Sequence, residues 1–483
     1  MQSYSCAIHG PITFPGSKHH TGYALGLNDF IKKLIDTDAV QHLRWIRQNG
    51  LSHFVFNTME HSRFTHSLGV AFVAQRMIER ILLNSELEVS PQQALDWKYE
   101  TIAAALLHDI GHGPFSHSLE EILHAINPDL PKEEQFNHEH MTLRLIQEDT
   151  HVNKALKDCK EDLPNKVAQF FLKKDERKKD HWRYRIVSSQ LDADRLDYIL
   201  RDAQMAGLKG VGFDLDRILQ HLYVVSPDAT FFILDRKASE ALESSLLAND
   251  QHYRAVYYHR KVRAATAMLQ TLLLRVANLV NENNNNIQKL FKRENHPLLE
   301  LILRGNKIDL KVYLNLTENH IWSLIEEWKD NSDPIVKDYA DRLWHRKLHS
   351  AVEVNGHDTG NKREEKELQK LLKAEYLNLD QEKLRKYYIL SNTSRRKSYK
   401  EGDSIYLGSQ KIPNDNPSAL EFDHSSRIVY MLREQHKIEY VIYPDPDIKQ
   451  DQQVNNVELI EKDSTKELAK TNGNSSYPAI RIS

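Results

Sequence analysis

The chain has 483 residues, 40% of them apolar and 28% charged, so a substantial core can form over one large or roughly two to three ordinary domains. Lys and Arg number 65 against 68 Asp and Glu, which excludes a global pull toward nucleic acid or an anionic membrane; an anionic ligand needs a local basic pocket. Two cysteines, Cys6 and Cys159, exclude a disulfide framework, and neither a transmembrane-length apolar run nor a signal-peptide pattern is present, so the chain reads as cytoplasmic with no membrane partner.

In chain order, an irregular or short extended stretch surrounds Ile8-His-Gly-Pro-Ile12. Leu27, Phe30, Ile31 and Leu34 share one face of a helix predicted over Leu27 to Ile35. A second helix is expected from Ala39 to Gln48, stopped by Asn49-Gly50, with Arg44, Arg47 and Gln48 on a solvated face. Glu60-His-Ser-Arg-Phe-Thr-His-Ser-Leu-Gly-Val70 precedes a helix from Ala71 to Leu83, and its small residues suit close packing. Further helices are expected from Ser118 to about Ala125 and from Asn137, a plausible N-cap, to Gln147.

Within residues 185–210, Asp194, Tyr198 and Asp202 fall at i, i+4 and i+8 and so form one helical stripe. A β-hairpin is predicted over 222–234, then a continuous helix from Ala238 to about Val280 carrying Tyr253, Tyr257 and Lys261 as a stripe. Asn281 to Ile287 reads as a loop tip. The predicted fold class is mainly α, a helical core with a small β-hairpin and a small α+β C-terminal region. The expected units are a helical core and its extension over 1–345, a charged peripheral segment over 346–400, a strand-containing region over 401–446, and a polar disordered tail over 447–483.

The stretch Leu106-Leu-His-Asp-Ile-Gly-His-Gly-Pro-Phe-Ser-His117 carries the chemistry. An apolar helical run ends at His108-Asp109, Gly111, Gly113 and Pro114 stop it, and His112 and His117 follow at once. Neutral imidazole nitrogen plus carboxylate oxygen is a ligand set for divalent metals, with Mn, Mg, Fe, Zn and Ni not distinguished by it. A lone His-Asp pair is most simply a core histidine bonded to its neighbour; four such residues around a Gly-Pro turn shift the balance toward a site. His66, before a helix, offers a further ligand, and Arg63 lies near enough to pair with a phosphate oxygen. For His138, capping of its helix is an adequate structural account, and a catalytic or phosphate contact is the functional alternative.

The ordered set His66, His108-Asp109 and Asp194 resembles the signature of the HD-domain metal-dependent phosphohydrolases. Arg63-Phe-Thr-His-Ser-Leu-Gly-Val70, the 108–117 stretch and Asp192-Ala-Asp-Arg-Leu-Asp-Tyr198 with Arg201-Asp202 are similar to the deoxynucleoside triphosphate triphosphohydrolase branch, over roughly residues 5–265. The resemblance implies that His66, His108, Asp109 and Asp194 hold a divalent metal ion. It implies that Arg63 and Arg195 contact phosphates, that His112, His117 and His138 line the reacting phosphate with His117 as proton donor, that Gln48, Tyr198 and Asp202 contact the deoxyribose, and that Tyr257 stacks on it. The implied reaction converts a dNTP to deoxynucleoside and triphosphate in a homo-oligomer, a dimer or tetramer. Nucleic acid is not indicated as a partner. Other HD chemistry, on monophosphates, cyclic nucleotides or nucleic-acid ends, and a non-catalytic nucleotide sensor are the alternatives. Cys6-Ala-Ile-His-Gly10 departs from the family's Asp-Pro-Ile-His-Gly, while Asp36, Gln41 and Arg44 match residues that hold an activating nucleotide, so activation stays open.

Overall fold

Two long helices, Arg63–Asn84 and Pro91–Leu107, lie against each other at the centre of a mainly helical protein. This computed structural model describes residues 2–15, 22–126, 135–148, 150–173, 175–177, 179–282, 284–293, 295–354, 360–399, 404–408, 420–422 and 426–445. Ser90 caps the second helix by accepting from the Gln93 amide, and Pro91 occupies its first turn, where a missing N–H costs nothing. Every side chain from Ile102 to Leu107 is fully buried, so this segment has no solvent face.

A third helix, Ala193–Ala206, crosses the first. Asp192 caps it through the Arg195 amide, and Gly207 ends it at φ 71°. Gly69 sets how closely the two helices approach: a Cβ there would overlap Asp197 Oδ1 and Arg201 Nη2. Helices His117–Ile126 and Arg260–Glu282 pack together on the other side.

Several expectations need correction. The helix expected over Ala39 to Gln48 is an α-helix only at Asp38–His42 and a 3₁₀ turn at Leu43–Trp45. Beyond it the chain extends, because Gln48 N donates to the His61 carbonyl and Arg63 N to the Ile46 carbonyl, at 3.0 and 2.9 Å. The helix expected to start at Ala71 starts at Arg63, so His66 sits on it. The run from Ala238 to Val280 is broken into Ser239–His252, a π-helical turn at Tyr253–Tyr257, and Arg260–Glu282. Helix also occupies most of the supposed loop tip: one ends at Glu282 and Asn284–Leu290 follows.

The hairpin is present as Leu222–Tyr223 antiparallel to Ile233–Asp235, and Tyr406–Gly408 joins it in parallel. Residues 346–400 are not merely peripheral. They supply Ser350–Glu353 and Leu390–Lys397, which flank Gln435–Tyr443 in one antiparallel sheet, with helices Gly360–Lys373 and Gln381–Tyr388 alongside. The division expected at residue 400 therefore runs through a shared sheet, in which Val441 and Ile442 are fully buried and Arg363 Nη2 donates to the Tyr443 hydroxyl at 2.7 Å. The polar tail, 447–483, lies outside the described residues. Among the described residues no helix is long and apolar enough to cross a membrane.

Candidate active site

The three crossing helices bring together groups far apart in the chain. His66 lies on the first turns of Arg63–Asn84, His108 and Asp109 where Pro91–Leu107 runs out, and Asp194 in the first turn of Ala193–Ala206. His66 Nε2 is 3.0 Å from Asp194 Oδ1 and 3.9 Å from Asp109 Oδ2. His108 Nε2 is 3.3 Å from Asp109 Oδ1 and 3.8 Å from Asp194 Oδ1.

Both Nε2 atoms are buried without a hydrogen-bond partner. The opposite nitrogens explain why. His108 Nδ1 is 2.8 Å from the Ala105 carbonyl, which can only accept, so Nδ1 carries the hydrogen and Nε2 turns a lone pair inward. His66 Nδ1 meets Asp197 Oδ2 at 2.8 Å, the imidazole–carboxylate pairing found behind metal ligands. Lone pairs facing two carboxylates in a buried space repel unless a cation lies between them. Burial alone would lower the His66 pKa, but Asp194 and Asp197 outweigh it and push it up to about 10. That excess of negative charge draws positive charge to this point, a second proton on His66 or a divalent cation in its place; His66, His108 and Asp109 have donor atoms close enough together to share one, and Asp194 Oδ1 lies 3.0 Å from His66 Nε2.

Arg63 stands beside this centre. It donates through Nη1 to Asp109 Oδ2, and through Nε and Nη2 to Ser116 Oγ at 3.1 and 2.8 Å. Burial raises the Asp109 pKa, yet Arg63 and the surrounding histidines hold it well below the usual carboxylate range. The turn carrying Ser116 is strained: Phe115 and Ser116 have φ of 58° and 56°, left-handed values for residues with a Cβ. Gly111 lets the same turn press on helix His138–Gln147, since a Cβ would overlap the His138 carbonyl and the Thr142 amide.

His112, His117 and His138 meet at the rim. His112 stacks on His138 with centroids 3.9 Å apart, and His117 stands edge-on to both. Glu120, one turn beyond His117, receives both outer imidazoles: His138 Nδ1 at 2.7 Å and His117 Nδ1 at 3.1 Å. Burial raises its pKa, but these bonds outweigh burial and keep it ionised, well below the ordinary range. Burial and the Arg63 charge hold the His112 pKa well below its usual value, so that ring is neutral. The His117 side chain is 66% exposed, open to an incoming molecule.

All of this faces a cavity of about 790 Å³. Arg63, His108, Asp109 and Asp194 line it near the centre, and Gln48, Arg195, Tyr198 and Tyr257 line the walls. Arg195 is anchored by Nε to the Ser189 carbonyl at 2.8 Å, and Tyr198 donates to Asn249 Oδ1 at 3.1 Å. Asp202, expected to touch the sugar, is fully buried behind the wall. Its oxygens take His61 Nε2 at 2.8 Å and the Tyr257 hydroxyl, because its helix turns the i+8 position away from the cavity that i and i+4 face.

Asp197, Arg201, Glu120 and His9 were not singled out by sequence reasoning as parts of this site. Asp197 accepts from His9 Nε2 at 2.7 Å, from His66, and twice from Arg201 at 2.8 Å. The i, i+4 spacing of Asp197 and Arg201 was a signal for their pair, and the i, i+3 spacing of His117 and Glu120 for theirs. Nothing local signalled the bond to His9.

Residues 63–198 match the HD domain family model. The uncharacterized protein YwfO of Bacillus subtilis is 33% identical over 322 residues, 67% of this chain and 68% of its own. The chain belongs to the HD-domain family. A second relative is the deoxynucleoside triphosphate triphosphohydrolase SAMHD1 homolog of Dictyostelium discoideum, 32% identical over 209 residues, 42% of this HD-domain chain and 38% of that protein. The crystal structure of a phosphohydrolase from Bacteroides thetaiotaomicron superposes with a TM-score of 0.71 at 23% identity, covering 92% of this chain and all of that one, so the two share a fold.

Proposed function

We propose that this HD-domain protein hydrolyses deoxynucleoside triphosphates to deoxynucleoside and inorganic triphosphate. The observation that carries the reading is the pair of buried, partnerless His66 and His108 nitrogens aimed at Asp109 and Asp194, with arginines and an open histidine on the same cavity. The name of the Dictyostelium relative supports the substrate class. A divalent cation held by His66, His108, Asp109 and Asp194 supplies Lewis-acid polarisation of a phosphoryl group.

The protein's own side chains do the rest. Arg63 and Arg195 offset the charge that spreads over the phosphoryl oxygens as the bond breaks. Arg63 reaches those oxygens by exchanging its bond to Asp109. Water attacks the α-phosphorus and releases a proton to solvent, the bond to the 5′ oxygen breaks, and His117 gives that oxygen a proton and regains one from solvent. Glu120 aims His117 and keeps its Nε2 edge turned outward. Gln48 and Tyr198 contact the deoxyribose and Tyr257 stacks on it.

Purified protein with manganese or magnesium should release triphosphate from a panel of canonical dNTPs, with products identified by mass. A His108→Ala/Asp109→Ala variant should lose both metal and turnover. Binding without turnover, or release of pyrophosphate or orthophosphate alone, would overturn the assignment.

A further inference from the structure

We propose that His61 is a positioning residue of the nucleotide wall, acting on Tyr257 through the carboxylate of Asp202. The inference rests on the cavity being the nucleotide site proposed above.

Tyr257 ends a π-helical turn, Tyr253–Tyr257, and the Tyr258 amide bonds back to the Tyr253 carbonyl at 2.9 Å. A π turn closes i→i+5 bonds, is wider than an α turn, and is frequent at functional sites. What holds the Tyr257 ring on the wall is its hydroxyl, which donates to Asp202 Oδ2. Its ring neighbours, Tyr253 and His252, touch it edge-on at 4.7 and 4.9 Å between centroids.

Asp202 is fully buried, so the direction of its carboxylate is set by its partners. The other oxygen meets His61 Nε2 at 2.8 Å, and both side chains are nearly or wholly buried, at 5% and 0% exposure. His252 Nε2 is 3.8 Å from Asp202 Oδ2, beyond hydrogen-bond reach. Remove the imidazole, and the carboxylate can rotate about its own axis and release the phenol.

The backbone at His61 is also paired with the segment that bears Gln48. Its carbonyl accepts the Gln48 amide at 3.0 Å, and Arg63, two residues on, donates its own amide to the Ile46 carbonyl at 2.9 Å. One residue thus ties together the extended segment bearing Gln48, the start of the Arg63 helix and, through Asp202, the Tyr257 wall. It touches neither the metal donors nor the reacting phosphate, so its loss should weaken the grip on substrate and spare the chemical step.

His61→Ala should raise KM for a hydrolysed dNTP about tenfold, the effect of one charge-assisted hydrogen bond, with kcat within about twofold and metal content unchanged. His61→Gln, whose amide nitrogen can replace Nε2, should restore most of the loss. Tyr257→Phe should raise KM alone, and adding His61→Ala to it should change KM little further, because both act through one bond. Crystals of His61→Ala should show the Tyr257 hydroxyl off Asp202. An unchanged KM, additive losses in the double variant, or a Tyr257 still bonded to Asp202 would each overturn the proposal. If the wild-type protein hydrolyses no dNTP, the functional reading fails by itself, and the position of Tyr257 in the His61→Ala crystals still decides the role of His61.

Discussion

Asp197→Asn removes one negative charge and almost no volume from the place where the first and third core helices meet. Asp197 is fully buried and takes four bonds, from His9 at 2.7 Å, His66 at 2.8 Å and two arms of Arg201 at 2.8 Å. Burial raises its pKa, but Arg201 and the two histidines hold it well below the usual range, so it is ionised at every working pH. An asparagine leaves the Arg201 guanidinium, 2% exposed, without a counter-charge. Breaking a buried ion pair on one side costs about 3–5 kcal/mol. His66 Nδ1 would also lose its carboxylate, and loss of such a partner weakens metal binding by about 10- to 100-fold. The two effects separate. Asp197→Asn/Arg201→Met removes the unpaired charge, so it should recover much of the stability and none of the metal affinity. Urea denaturation of the apo-protein and calorimetric titration with manganese measure the two quantities. A stability change below about 1 kcal/mol with unaltered metal affinity would refute the reasoning, since it would mean that Asp197 neither balances Arg201 nor orients His66.

Three further outcomes are expected. Gly69→Ala forces a methyl onto the Asp197–Arg201 pair and should destabilise the protein by about 3 kcal/mol or more by thermal or urea melting; a neutral effect would mean the helices can separate freely. His117→Ala should lower kcat about 10²- to 10⁴-fold with metal content unchanged, whereas equal loss from substituting exposed His151 would point to an indirect effect. Burial pushes the pKa of His42 from 6.5 down to about 4, so the unfolded chain takes up its proton first as pH falls. Stability from this group should be level above about pH 7 and drop by about 3 kcal/mol between pH 6.5 and 4, a slope that His42→Leu should flatten in urea midpoints taken at pH 7, 5.5 and 4.5.

Much of the candidate site was legible because its signals are local. A helix of apolar residues that stops at His108-Asp109 before glycines and a proline announces a polar centre at its end, and that is where the structure places it. His66 and Asp194 were readable from their motifs. Other features depend on partners that no local pattern names. Gln48 reaches the cavity wall because strand-like pairing with His61 overrides the helical pattern around Arg44. Tyr257 faces the cavity only because a π turn shifts the register of a stretch that looks continuously helical. The charged segment 360–397 has a polar composition, yet its strand at Leu390–Lys397 pairs along its whole length with Gln435–Tyr443, whose Tyr440 to Tyr443 end is buried, a partner remote in sequence.

By itself, then, the order of residues determined which chemical groups exist and how each short stretch bends: imidazoles and carboxylates at helix ends, glycines where a backbone must pass closely, caps where helices begin. Only the crossing of the three helices decided which carboxylate faces the metal donors and which stands behind them. Asp194, Asp197 and Asp202 lie on one helix; the first points at His66 Nε2, the second grips His66 Nδ1 from behind, and the third is turned to His61 and Tyr257. The reason is geometric. A helix advances 100° per residue, so its sequence fixes the angles between side chains, but the direction of the whole set depends on what packs against it.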